Sequence, residues 1–380
     1  MKIAMIGSGA AGSVFAAYLK KGGAELYLVD RYKAHMDKIA AEGLRFASPA
    51  GEELLTGFIT ATSAESIGIM DVVILMVKAT QTESIMPGLK SCIGEKTVVV
   101  SLQNGLGNEE VLTKYVSAAK ILYGFGTIGT ELPEPGKCVS KPESGVIMRF
   151  GAAKKSALSD RVGKELEDCF NRGGCETRFE ADIRPFVWKK VISNSGYNTL
   201  SSLLRLKVGE FLATNEGKEL IKSVWREGCD VAKAAIGVDL WPEMLEELPR
   251  LIEGFASYYP SMAQDVLIYQ RQTEISLLNG AIVRYGAQYG VPTPVNEALT
   301  NMLTVIQANY EKQYKKQFIK ELIHHENRNV WFRCSWQCIC FLPTQRRRRH
   351  DPHRSLRSTH EQDCRGRHDL HCSRKARWQR

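Results

Sequence analysis

The first twenty or so residues constrain the fold most. Residues 2–6 (KIAMI) form a short apolar strand, residues 7–12 (GSGAAG) a glycine loop, and SVFAAYLKKGG has the apolar spacing of a helix. Strand, glycine loop and helix in that order build the phosphate-binding turn of a doubly wound α/β sheet. Gly7 permits the tight turn, Gly9 lets backbone approach a pyrophosphate, and Gly12 lets the helix pack closely on the strand. Gly7, Ser8, Gly9, Ala10, Ala11 and Gly12 are therefore the candidate cofactor loop, with the helix N-terminus supplying free N–H groups and partial positive charge. A second strand, ELYLVD, ends in Asp30, placed to accept hydrogen bonds from an adenosine ribose and to repel a 2′-phosphate. Arg31 and Lys33 beside it attract a phosphate, so NADH and NADPH both remain open as the cofactor.

Two further buried strands are expected, 71–77 running into Lys78 and 97–102 running into Gln103, Asn104 and Gly105. Ligands of open α/β sheets lie beyond the carboxyl ends of the strands, which makes Lys78 and Asn104 candidate cleft residues. ILYGFGTIG and SGVIMRFG predict strands completing the sheet, 158–172 an amphipathic helix, and CETRFEAD closes the half. From Ile183 the periodicity is helical, with segments at about 206–214, 216–235, 242–256 and 274–289 broken by glycine or proline. The expected architecture is a Rossmann-type α/β dinucleotide-binding domain over 1–180, followed by an all-α domain over 181–323.

The first helix of the second half contains WKKVISNSGYN, residues 188–198. At about 100° per residue, Asn194 lies about 40° and Asn198 about 80° around from Lys190, so the three heads project together. Taken alone, such a row is an ordinary solvated face. Two more polar clusters follow: YYPSMAQD with Ser261, and RQTEISLLNG with Glu274 opening the helix 274–289.

GSGAAG, VKATQ at Lys78, QNG at Asn104, the K-x3-N-x3-N row, PSMAQD, RQTEI with LLNG, and GVPTPVN occur in the order of the ketopantoate reductase (2-dehydropantoate 2-reductase) family, which this chain resembles over about residues 1–320. The resemblance implies that Lys190 is the general acid and that Glu274 binds the substrate hydroxyl and orients the lysine. It implies substrate binding by Asn194, Asn198 and Ser261, and cofactor-side positions for Lys78 and Asn104. The implied reaction is NAD(P)H-dependent reduction of 2-dehydropantoate to (R)-pantoate, in the formation of pantothenate and coenzyme A. Hydride arriving at a ketone carbon develops negative charge on its oxygen, which a cationic lysine can stabilise and protonate. Ser261 and Glu274 stand thirteen positions apart, one more than in familiar members, which predicts an extra loop residue within 267–272. Tyr258 stands where some members have an amide, so a related 2-oxo acid, as in D-2-hydroxyacid or D-mandelate dehydrogenases, is the second reading. A non-catalytic dinucleotide sensor is the third.

The formal charge of +9 does not point to nucleic acid, because it is confined to one end. From His324 onward there are 14 Lys and Arg against 5 Asp and Glu, leaving 37 of each sign before it. That tail also holds five of the ten cysteines and seven of the eight histidines. Three readings compete for 324–380: a localisation or nucleic-acid patch at Arg346 to Arg349, a zinc site at Cys334, Cys338 and Cys340 whose spacing is irregular, and an out-of-frame, disordered extension, which is the favoured one. The other cysteines have neither disulfide nor metal spacing and read as reduced thiols. No run of about 18 apolar residues predicts a membrane span, and the apolar N-terminus leads into a glycine loop and not a cleavage site. The expectation is a cytoplasmic enzyme acting on a small 2-oxo acid, without metal, membrane or nucleic acid, and with a homodimer left open.

Overall fold

The computed structural model describes residues 1–142, 145–254 and 259–313. Tyr258 and the tail from 324 lie outside the described residues, and the readings made on them stop there. The contacts of Met1–Tyr314 form one compact unit.

The first part contains β1 (Lys2–Ile6), α1 (Ala10–Lys21), β2 (Glu25–Val29), α2 (Lys33–Glu42), β3 (Leu44–Ser48), β4 (Gly51–Leu55), β5 (Ile59–Ala61) and β6 (Met70–Leu75). It continues through α3 (Thr82–Ile85), β7 (Ile93–Ser101), α4 (Asn108–Thr113), β8 (Ile121–Gly126), β9 (Ile128–Glu134), β10 (Lys137–Pro142), β11 (Met148–Ala152), α5 (Ala157–Arg172) and β12 (Thr177–Glu180). The main sheet runs β12-β11-β8-β7-β6-β1-β2-β5. From β5 to β8 all pairs are parallel; β11 is antiparallel to β8, and β12 is parallel to β11. Burial on both faces explains the near-continuous apolar runs: Val72, Val73, Ile74 and Leu75 of β6 are all fully buried. The direction of winding reverses between β1 and β6. A crevice opens at such a switch point, and both the glycine loop and Lys78 emerge there.

A second sheet, β4-β3-β10-β9, was not expected from the sequence. ILYGFGTIG therefore divides: β8 joins the main sheet, whereas β9 turns away into the small one. The small sheet covers α1, where Tyr18 stacks edge-on against Phe46 at 5.1 Å and its hydroxyl lies 2.7 Å from Ser140 Oγ.

The later part has helices and no strand among its described residues: α6 (Arg184–Leu204), α7 (Val208–Leu212), α8 (Asn215–Ile236), α9 (Trp241–Gly254), α10 (Ser261–Gln264), α11 (Asn279–Tyr289) and α12 (Pro294–Gln307). Pro185 starts α6, where its missing N–H costs nothing, and Arg205 in the left-handed region (φ 59°) ends it. One expected boundary is wrong. Glu274 does not open the helix: a 3-10 turn over Ile275–Leu277 intervenes, and α11 begins at Asn279. Residues 267–272, where an extra residue is expected, run from a widened helical turn into the irregular segment before Glu274. α10 passes into a π-helical segment, Asp265–Tyr269, closed by Gln270 at φ 47°. A π turn accommodates one residue more than an α turn without breaking the helix.

The β7–α4 loop fastens the sheet to the helices. Leu106 N–H donates to the Leu277 carbonyl at 3.0 Å, and the Tyr285 hydroxyl of α11 donates to Glu110. Glu109 beside it is half-buried; burial, with added repulsion from Glu110, pushes its carboxyl up to about 7, while Arg284 pulls the other way. A carboxyl raised on folding stabilises the protein fully below its usual value of 4.5 and loses that contribution as pH rises through about 7. Glu109→Gln should therefore flatten the pH dependence of stability between these values. It should leave the variant more stable than wild type above pH 7 by about 2 kcal/mol, allowing for partial exposure. Urea denaturation across pH measures this; parallel wild-type and variant curves would reject it.

Candidate functional site

Helix α6 is buried from Val191 through Ser202, polar side chains included. The row read from the sequence as one polar face therefore belongs to a helix enclosed on all sides. Burying so many polar groups requires partners, and they are present. Ser195 donates to the Ile192 carbonyl at 2.8 Å and Ser202 to the Asn198 carbonyl at 2.7 Å. Thr199 donates to Asn279 Oδ1 at 2.6 Å; Asn279 Nδ2 donates to the Ser195 carbonyl and to Asn296 Oδ1, each at 3.0 Å. Asn296 is held in turn by Glu227, which also accepts from the first N–H groups of α12. The asparagine of LLNG thus braces α6 directly, and that of PVN holds it in place from the next helix.

One atom breaks the pattern. Asn198 Oδ1 is buried and has no hydrogen-bond partner among the described residues. It lies in a pocket lined by Asn104, Asn194, Asn198, Ser261, Met262, Asp265, Glu274 and Leu278. The pocket gathers Asn104, from the end of β7, with four site residues predicted on the helices. The Tyr197 hydroxyl donates to Asn194 Oδ1 at 2.5 Å, committing that oxygen internally. Lys190, half-buried one turn before Asn194, is not among the lining residues.

Lys78 spans the crevice. Its ammonium lies 2.9 Å from Asp265 Oδ2 and 3.9 Å from Glu274 Oε2, and the Ala79 N–H donates to Glu274 Oε1 at 3.5 Å. Arg271 donates to the other Asp265 oxygen, from Nε at 2.7 Å and from a terminal nitrogen at 2.6 Å. Asp265, only 2% exposed, thus balances two cations at the pocket edge. Sequence reasoning gave it no role, although an acid following the apolar turn of PSMAQD was the available signal. Below Asn104, Gln103 bonds to the Val77 carbonyl, Thr82 and Ser101, which fixes the loop between β6 and β7.

The glycine loop fits a dinucleotide by its own geometry. Gly7 has φ 92°, and a Cβ there would lie 2.6 Å from Val77 N; a Cβ on Gly12 would lie 2.0 Å from the Gly7 carbonyl oxygen. A Cβ on Gly9 would meet nothing within 4 Å, so the open side lies where a pyrophosphate would run. Helix α1 has no side-chain cap and no acid in its first turn, leaving its N-terminal N–H groups for an anion. Ala10 and Ala11 contribute through this backbone, and Ser8 likewise, because its fully buried hydroxyl turns back to the Met5 carbonyl at 3.3 Å. At the end of β2, Asp30 Oδ1 accepts from Tyr32 N–H at 2.8 Å. Arg31 is exposed and makes no ion pair with a described residue, whereas Lys33 pairs with Asp37 at 2.6 Å. Of the two cations beside Asp30, only Arg31 is unengaged by a carboxylate.

A close approach of helices holds the pocket wall. A Cβ on Gly196, between Asn194 and Asn198, would lie 2.3 Å from Trp225 Nε1 and 2.7 Å from Ile221 Cγ1. Alanine gains up to about 1 kcal/mol in helix propensity, but overpacking against a buried indole costs about 1–3 kcal/mol. Gly196→Ala should therefore lower unfolding free energy by about 1–2 kcal/mol in urea. An equally stable variant would show that α6 and α8 separate at no more cost than the gain in helix propensity returns.

Comparison with known proteins agrees with this arrangement. The family described as ketopantoate reductase PanE/ApbA matches residues 3–153, and its C-terminal counterpart matches residues 182–307. A 2-dehydropantoate 2-reductase of Aquifex aeolicus is 31% identical over 80% of this chain and 96% of its own. One from Streptococcus pyogenes serotype M3 is 28% identical over 81% and 98%. Among solved structures, a D-mandelate dehydrogenase with NADH and anilino(oxo)acetate is 28% identical, with a TM-score of 0.73 over 81% of this chain and 98% of its own. The chain belongs to the ketopantoate reductase family.

Proposed function

We propose that this protein reduces 2-dehydropantoate to (R)-pantoate with a nicotinamide dinucleotide, in the route to pantothenate and coenzyme A. The observation that carries the reading is the orphaned Asn198 Oδ1 in a pocket lined by amides, a serine and two carboxylates. A buried acceptor without a partner costs about 1–3 kcal/mol, which a substrate hydroxyl would recover. When bound, the cofactor supplies hydride. The chain's own residues receive the rest of the substrate: Asn194, through the amide end that Tyr197 leaves open, and Ser261 offer hydrogen bonds to its carboxylate. Glu274, in the same pocket, shares that one hydroxyl hydrogen with Asn198 Oδ1 as a three-centre acceptor and orients Lys190. Lys190, on the same helix as the asparagines, is the general acid in this reading, giving a proton to the oxygen that gains charge. Lys78 and Asn104 hold the cofactor side of the crevice.

The cofactor lies along 7–12, with its adenosine end at Asp30 and Arg31. Asp30 favours NADH by repelling a 2′-phosphate, and Arg31 favours NADPH by pairing with one. The proposed domains, 1–180 for the cofactor and 181–323 for the substrate, meet at this crevice. A cytoplasmic setting is supported by five described cysteines that are all buried and unpaired.

An aryl 2-oxo acid is the second reading, motivated by the D-mandelate dehydrogenase neighbour and by Met262 and Leu278 in the pocket. It offers Asn198 no hydroxyl donor beyond the reacting centre. Absorbance loss of NADPH and NADH, measured separately, should give kcat/KM for ketopantoate at least about tenfold above phenylglyoxylate, the value of one satisfied buried acceptor. A preference for the aryl acid would reverse the assignment, and no oxidation with any 2-oxo acid would leave a dinucleotide-binding protein. Lys190→Ala should lower kcat by about 100-fold or more while NAD(P)H still binds. Unchanged turnover would remove Lys190 as the acid.

A further inference from the structure

His35, near the start of α2, is completely buried and away from the pocket, yet it is hydrogen-bonded at both nitrogens. Gly136 N–H, from the turn between β9 and β10, donates to Nδ1 at 2.9 Å. A backbone N–H can only donate, so Nδ1 accepts and the hydrogen of the neutral ring resides on Nε2. Nε2 lies 3.0 Å from Ser13 Oγ, in the second turn of α1. Ser13 Oγ lies 2.7 Å from the Ser8 carbonyl, which can only accept, so the hydroxyl hydrogen goes there. Every direction is fixed: Gly136 to His35, His35 to Ser13, Ser13 to Ser8. Burial holds the imidazole below its ordinary value, against the opposing pulls of Asp30 at the end of β2 and of the Ser8 backbone itself. The Tyr32 ring stacks on it with centroids 6.0 Å apart.

The last bond reaches the cofactor loop. In a trans peptide the carbonyl and the following N–H point in opposite directions. Holding the Ser8 carbonyl inward toward Ser13 turns the Gly9 N–H outward, and a Cβ at Gly9 would meet only open space. We propose that His35 is a positioning residue for the dinucleotide loop: through Ser13 it fixes the Ser8–Gly9 peptide so that Gly9 N–H is presented to the pyrophosphate. This rests on the reading of residues 7–12 as the cofactor site. The small sheet thereby enters cofactor binding, since its Gly136 fixes the tautomer that makes His35 a donor toward Ser13.

Two substitutions separate the arms. In His35→Gln, the amide NH2 reaches the place of Nε2 and keeps the bond to Ser13; in His35→Asn, the amide oxygen takes the place of Nδ1 and keeps only the bond from Gly136. NADPH and NADH fluorescence titrations should show His35→Asn and Ser13→Ala binding roughly five- to tenfold more weakly than wild type, the value of one hydrogen bond, with His35→Gln within about twofold. The loss should fall on cofactor KM and not on kcat, and His35→Asn combined with Ser13→Ala should be no worse than either alone. Wild-type affinity in His35→Asn, equal weakening in Asn and Gln variants that follows their thermal stability, or additive losses in the double variant would overturn the proposal. Wild-type binding itself tests the dinucleotide reading. In the cofactor-free protein, amide hydrogen exchange over 8–12 should be faster in His35→Asn than in His35→Gln, and equal rates would reject the relay whatever the ligand.

Discussion

A helix carrying serines, asparagines and a threonine on all sides can be buried only if those groups are bonded, and the helical half is arranged around that requirement. α6 places Ser193, Asn194, Ser195, Asn198, Thr199, Ser201 and Ser202 in the interior. Asn279 reaches it from α11 and is itself held by Asn296 of α12, and Trp225 Nε1 of α8 bonds the Ser193 carbonyl at 3.4 Å. Half-satisfied networks are costly in a low-dielectric interior, whereas complete ones are rigid. Rigidity is what a pocket wall needs. Among the described residues, the single unmet buried side-chain acceptor, at the pocket, then stands out against a background of satisfied groups.

The sheet contributes through its topology. Reversal of winding between β1 and β6 opens the crevice, and the parallel order from β5 to β8 brings four carboxyl ends to one edge: the glycine loop, Asp30, Lys78 and Asn104. Lys78 reaches from this edge to Asp265 and Glu274, which belong to the helices. The two halves are therefore joined by charge at the mouth of the crevice and by the Leu106–Leu277 backbone bond beside it. Asp265 can remain buried because it has a cation on each oxygen; an isolated carboxylate there would be strongly disfavoured.

Much of this was legible in the sequence where local chemistry decides the outcome. The loop 7–12 needs glycines for reasons that act within a few residues, and the apolar runs of β6 and β7 reveal a sheet covered on both faces. What was not legible depends on distant partners. β3, β4, β9 and β10 are short and half-exposed, without the strong alternation that identifies a strand, and their pairing joins segments about 90 residues apart. Glu274 looked like a helix opener because an acid in a first turn is favourable; the 3-10 turn after it instead turns the carboxylate toward Lys78 and Ala79.

The polar row shows the same limit most clearly. Helical spacing placed Lys190, Asn194 and Asn198 on one side but could not distinguish a solvated face from a buried one, since both have the same period. That distinction belongs to the partners: Thr199, Ser195 and Ser202, lying off the row, are also buried and bonded. His35 is the complementary case. A lone histidine in KAHMDK carries no periodic signal, and its nitrogens acquire directions only when Gly136 and Ser13, 101 and 22 positions away, are brought to it. Motifs reveal which groups a site can use. Directional bonds between remote segments determine how those groups are held: Gly136 through His35 and Ser13 at the glycine loop, and Asn279 at the buried helix.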